Sequence, residues 1–153
     1  LIEVNGTARM FWPLGIAYLR DNHLFLHKIK KIVGKKQLQE SALSGVALEG
    51  ILEKKGRGVV QLDLRNITDR PADIFLIAEA ESGVQVRAIA DSAAERVWEI
   101  LQIRPLGVEG KEHGQWVLID FGEVVVHVFQ SELRRFYDLE DLWNDALRSD
   151  YVS

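Results

Sequence analysis

The sequence predicts an α/β domain in which one mixed β-sheet is layered with helices, and three observations carry that expectation. Apolar strand-like runs alternate with helical-period runs, the interleaving that lets helices cover a sheet. Residues 83–103 set Val86, Ile89, Ala90, Ala93, Val97, Ile100 and Leu101 along one helical stripe. Residues 115–121 and 123–130 are two very apolar runs joined at Gly122, which signals a tight hairpin.

The elements follow in order. Residues 1–9 precede Met10, the only methionine, and read as an added or upstream stretch. Residues 22–36 have a basic, helical composition and read as a solvated leader, so 1–37 form a basic N-terminal extension to a domain over 38–153. Leu43, Val46, Ala47, Gly50 and Ile51 fall at helical spacing, although Gly45 and Gly50 weaken that helix by about 1 kcal/mol each. Lys54-Lys55-Gly56 is its stop signal. A strand over 59–64, a turn-rich stretch over 66–71 and a strand over 73–78 come next. Ser82 is placed to cap the long helix. Phe136-Tyr137 reads as a short strand or turn, and Asp138 as the cap of a last helix running to about residue 147.

Composition narrows the function classes. With 153 residues, 47% hydrophobic and 27% charged, the chain has the makings of about one folded domain. No cysteine is present, which excludes disulfides and thiolate metal sites and fits a reducing, cytoplasmic setting. The longest apolar run, residues 10–19, is interrupted by Pro13 and falls short of the roughly 20 residues a membrane span needs. Residues 1–37 hold seven bases against two acids, +5; the remaining twelve bases face twenty-one acids, −9. A domain of that sign gains nothing from counterion release, so direct nucleic-acid contact is minor at most, and it is steered towards basic protein surfaces. The same charge also serves simple solubility.

No chemistry-bearing constellation emerges. His23 and His27 share a helical face but have no third ligand. Asp120-Phe121-Gly122 spells a kinase metal-binding triplet without the rest of a kinase. Asp63, Asp69 and Asp73 do not form the Asp-x-Asp strand of a nucleotidyltransferase, and no phosphate loop exists. The reading is a non-enzyme without cofactor or metal, a nucleotidyltransferase-like enzyme being the alternative.

Residues 105–143 instead have the profile of a docking surface, where aromatic and arginine anchors carry most of the energy. Trp116 opens a strand directly after a polar loop, at the sheet's rim. Its ring can lie on a partner while its indole N–H finds an acceptor there; the other reading is a core Trp capping the sheet. Asp120 and His127 fall on facing strands, so that His127 either orients Asp120, accepts from a partner, or is a satisfied core group. Glu109, between Gly107 and Gly110, is placed to pair with a partner Lys or Arg. Trp98, Tyr137 and Trp143 read as packing residues.

The runs LDLRNITDRPADIFLIAEAESGVQVRAIADSAAE, PLGVEG, then Trp116, VLIDFGEVVVHVF and RRFYDLEDLW follow one another over roughly residues 38–146. In that order and spacing they resemble the ribosomal silencing factor family, also called Iojap-like. The resemblance implies a mixed-sheet α/β fold similar to the nucleotidyltransferases and a non-enzymatic role. It implies binding to the large ribosomal subunit through ribosomal protein fourteen, which hinders joining of the small subunit and represses translation; an assembly role on the same subunit stays open. Trp116, Asp120, His127, Glu109, Gly122 and Ser82 are the partner-binding candidates. Where the family shows Gly-Thr-Ser-x-Arg, this chain has Ala80-Glu81-Ser82-Gly83-Val84, keeping only the Ser. Glu79 and Glu81 there suit the helix dipole. An uncovered strand edge would also allow pairing with a second copy.

Overall fold

Two continuous apolar strands at the centre, flanked by shorter and more exposed ones, build a six-stranded mixed sheet. The computed structural model describes residues 2–4, 7–9 and 23–151, in two compact units, Leu1–Gln37 and Leu38–Ser153. In the first, β1 (Ile2–Val4) and β2 (Thr7–Arg9) pair antiparallel. Helix α1 (His23–Glu53) begins there, and its residues from Leu38 on belong to the second unit. Residues 10–19 lie outside the described residues, as do the side chains of His23 and His27.

The second unit continues with β3 (Arg57–Asp63), β4 (Ile74–Ala80), α2 (Gly83–Leu101), β5 (Gly107–Glu109), β6 (Trp116–Asp120) and β7 (Val124–Gln130). Two short helices, α3 (Ser131–Tyr137) and α4 (Leu139–Leu142), precede β8 (Leu147–Tyr151). The strand order is β5-β6-β7-β4-β3-β8. Only β4 and β7 run parallel, from Ile74 opposite Val124 to Ala80 opposite Gln130. A parallel pair needs a crossover between its strands, and α2 lies within it.

Alternation divides the sheet's residues between two cores. Ile74, Leu76, Ala78, Val124, Val126 and Val128 face α1 and α2, packing on Ala47, Ile51, Val86, Ile89, Ala93 and Val97. Phe75, Ile77, Val125 and Phe129 point the other way, under Leu133, Leu139 and Trp143 of the α3–α4 region. The mixed-sheet α/β expectation is borne out, as are the Ser82 cap, the turn-rich 66–71 stretch and the 115–130 hairpin. Ser82 accepts from the Gln85 N–H at 3.3 Å while the Gln85 side chain reaches back to the Ser82 N–H, a reciprocal box satisfying two otherwise orphan donors.

The helical character read over 22–36 holds from residue 23, and the helix continues without a break to Glu53. Several expectations need correction. Phe136 and Tyr137 end a helix rather than forming a strand or turn. Asp138 does cap the last helix, accepting from the Asp141 N–H, but that helix stops at Leu142 and a strand, β8, follows. Residues 107–109 form an edge strand that pairs antiparallel with the next strand, β6; only three residues long and exposed throughout, it carries no apolar pattern. Ile100, placed on the buried stripe, is 53% exposed. Glu79 and Glu81 answer to cations rather than to the helix dipole: Glu79 meets Arg134 and Glu81 meets Arg57 at 2.9 Å.

Gly50 is where α1 and α2 touch. A Cβ there would lie 2.6 Å from the Ser92 carbonyl oxygen and 2.7 Å from Ala93 Cα, so the glycine that lowers helix propensity is what permits the crossing. Gly45 faces open space. Gly50→Ala should therefore cost about 1–3 kcal/mol by forcing the helices apart. Gly45→Ala should instead add about 0.5–1 kcal/mol. Urea unfolding of the two variants checks the contrast, and equal effects would show that the crossing tolerates a methyl group.

Candidate functional site

The antiparallel register of β5, β6 and β7 decides where the candidate side chains point. Trp116 lies opposite Phe129, Leu118 opposite His127 and Asp120 opposite Val125, while Glu109 pairs with Leu118. Paired residues share a face and every second residue returns to it. Glu109, Trp116, Asp120 and His127 therefore all belong to the sheet face opposite α1 and α2. Towards β5 that face is only partly covered: Trp116, Leu118 and Asp120 are half-buried, and Glu109 is exposed.

Trp116 is the hub of an aromatic series running from core to surface. Its ring stacks on buried Phe129 at 4.7 Å between centroids and lies 4.8 Å from Tyr137, which in turn meets Phe136 edge-on at 5.1 Å. Tyr137 is 48% exposed and Phe136 78%. The indole N–H does not wait for a partner, as the sequence reading expects, but donates to His127 Nδ1 at 3.2 Å. The ring packs against the second core yet is only half-buried, so it caps the sheet while keeping part of its surface open.

Asp120 and His127 are not neighbours in the register, so His127 does not orient Asp120. The Asp120 carboxylate accepts from the Gly122 N–H at 2.7 Å and fastens the hairpin turn. His127 is 4% exposed, so it has no surface with which to accept from a partner. Gly110, rather than Gly107, is the glycine of close approach. With φ +84°, any Cβ there would collide with the Trp116 carbonyl oxygen. The hydroxyl of Ser82 is engaged in its cap.

Tyr137 and Phe136 are the members of this face that sequence reasoning missed. Their signal was present: two aromatics inside the charged run RRFYDLED cannot both be buried by a helix of seven residues. What holds them was not visible. Arg134 donates to the Gly58 carbonyl at 2.6 Å and to Glu140 at 2.5 Å, and lies 3.3 Å from Glu79, which accepts from Ser131 at 3.2 Å. Its partners come from three other elements, at distances along the chain that no local pattern encodes. Trp98 is a surface residue with Arg104 3.9 Å above its ring, and Trp143 packs edge-on to Phe75.

A second cluster bears on the enzyme alternative. Glu40, Asp73 and Glu123 bring carboxylate oxygens within 4.8 Å of one another, the one such group among the described residues. Cations already stand against it, with Arg70 at 2.6 Å from Asp73 and Arg65 at 3.9 Å from Glu40. Asp63 is gripped by Arg65, whose hydrogen bonds hold its carboxyl below the usual range. Three of these acids, Glu40, Asp63 and Asp73, thus stand against arginines.

Fold and face together define a small α/β domain with a partly open aromatic face. The chain belongs to the ribosomal silencing factor family: the family profile described as "Ribosomal silencing factor during starvation" matches residues 36–152. It is 40% identical over 109 residues to ribosomal silencing factor RsfS of Halalkalibacterium halodurans, covering 71% of this chain and 92% of that one. A crystal structure of a Chromobacterium violaceum protein superposes with a TM-score of 0.65 at 34% identity, covering 74% and 92% of the two chains. More distantly, 83 residues are 32% identical to the mouse protein "Mitochondrial assembly of ribosomal large subunit protein 1", covering 52% of this chain and 35% of that one. No helix among the described residues is long and apolar enough to cross a membrane.

Burial pushes the His127 imidazole from its ordinary 6.5 down to about 4. Protonation would also set a second N–H against the indole donor. With a depressed folded value, the contribution to stability is complete above pH 6.5 and is lost as pH falls through 4. Between pH 7 and 4.5 that amounts to roughly 2–3 kcal/mol. Chemical denaturation should show this loss in the wild type and a correspondingly smaller one in His127→Phe; equal pH dependence in both would contradict the assignment.

Proposed function

We propose that this protein represses translation by binding the large ribosomal subunit through ribosomal protein fourteen and sterically blocking the small subunit. The observation that carries the reading is the half-open aromatic face itself. Trp116, Leu118, Tyr137 and Phe136 offer apolar area that α3 and α4 leave uncovered. Around the two tyrosine-side helices the exposed charges are Glu132, Asp138, Asp141 and Asp145 against Arg135, and Glu109 and Asp120 border the β6 side. An apolar centre inside an acidic rim suits a basic protein partner, the centre supplying affinity and the rim steering encounter.

Binding alone accounts for silencing. A protein that occupies the joining surface excludes the small subunit by mass action, with no bond made or broken. The name of the mouse relative favours a second reading, in which the same face serves assembly of the large subunit. The two part company on substrate: a silencing factor binds mature large subunits and slows their joining, whereas an assembly factor prefers precursors.

Trp116→Ala should weaken co-sedimentation with mature large subunits at least tenfold, as expected for a central aromatic anchor. Because the ring is half-buried, its loss will also lower the melting temperature. Phe136→Ser, at a far more exposed site, separates binding from folding and should weaken binding with the melting temperature unchanged. Wild-type protein should slow subunit joining in light-scattering assays in proportion to its occupancy. Undiminished binding by both variants would overturn the use of this face.

A further inference from the structure

We infer that His127 is the positioning residue of the docking face, fixing the orientation of the Trp116 indole through the Nε1–Nδ1 hydrogen bond. This rests on the reading that the Trp116 face docks. Nδ1 accepts from the indole at 3.2 Å, so the neutral imidazole carries its own proton on Nε2. That nitrogen is enclosed and has no hydrogen-bond partner. A buried polar atom left unpaired costs about 1–3 kcal/mol, so a purely structural position would be served better by Phe or Leu. Around it the chain does use such residues: Val125 and Phe129 occupy the equivalent face of the same strand, and Phe75 meets the His127 ring edge-on at 4.6 Å. What the imidazole adds to this apolar setting is one acceptor, and that acceptor is spent on Trp116.

The indole needs it. Phe129 beneath and Tyr137 beside the ring limit its tilt through contacts that have no direction within the ring plane. The bond to His127 is the directional restraint, and it pins the nitrogen edge of the ring inward so that the remaining edge faces outward. An anchor held this way loses less side-chain freedom on docking, which raises affinity without a new contact to the partner. His127 thus acts on the partner while touching none of it.

Three variants test the inference. In the ¹H–¹⁵N spectrum, the Trp116 indole N–H, identified by its disappearance in Trp116→Phe, should be protected from solvent exchange in the wild type. It should lose that protection in His127→Phe while the Trp98 and Trp143 signals stay put. His127→Asn, which keeps an acceptor near the Nδ1 position, should retain it. Binding to mature large subunits should fall about three- to tenfold in His127→Phe, and the same substitution should have no effect in a Trp116→Phe background, where there is no N–H to orient. An equal loss in both backgrounds, or unchanged exchange protection, would show His127 to be a packing residue and overturn the inference. So would unchanged binding in His127→Phe while Trp116→Ala still weakens it. If Trp116→Ala itself has no effect, the docking reading fails instead, whatever the exchange data show.

Discussion

The parallel pairing of β4 with β7 is the constraint on which the rest depends. Both strands are buried on both faces, and seven consecutive partners tie them together from Ile74–Val124 to Ala80–Gln130. Their pleat settles which residues look at the helices and which at the other layer. A slip by one residue would exchange the two sets. Val124, Val126 and Val128 would then leave the helical core, and His127 and Phe129 would turn towards α2. The aromatic face exists because β7 carries its ring residues, His127 and Phe129, at odd positions, with Val124, Val126 and Val128 at the even ones.

A second tie completes that face. The α3 and α4 helices are too short to be stable alone, and neither has a buried residue of its own. Arg134 holds them down by joining the start of β3, the end of β4 and α4 in one set of charge-assisted bonds. The group is largely shielded, with 11% of the Arg134 side chain exposed, which makes it a strong bond and an expensive one to break. By anchoring α3 it sets Tyr137 beside Trp116. The aromatic face is thus assembled from one strand register and one arginine.

Legibility in the sequence follows the range of each interaction. The α2 stripe, its Ser82 box and the 115–130 hairpin rest on periods and caps a few residues long, and all three are present. The β5 and β8 strands are not legible, because three to five mostly exposed residues at a sheet edge carry no apolar pattern, and β8 exists only through its distant partner β3. The candidate site was half legible. Glu109, Trp116, Asp120 and His127 do share one face, but their roles depend on register: Asp120 fastens its own turn, and His127 serves Trp116. Phe136 and Tyr137 passed as a turn because the clamp that exposes them joins residues 58, 79, 134 and 140.

The central claim is that the open aromatic face meets the large ribosomal subunit. Hydrogen–deuterium exchange of the protein, free and bound to mature large subunits, tests it most directly. The account expects new protection in β5, β6 and α3, with α1 and α2 unchanged. Protection confined to α1 and α2, with the Trp116 strand exchanging as in the free protein, would contradict it.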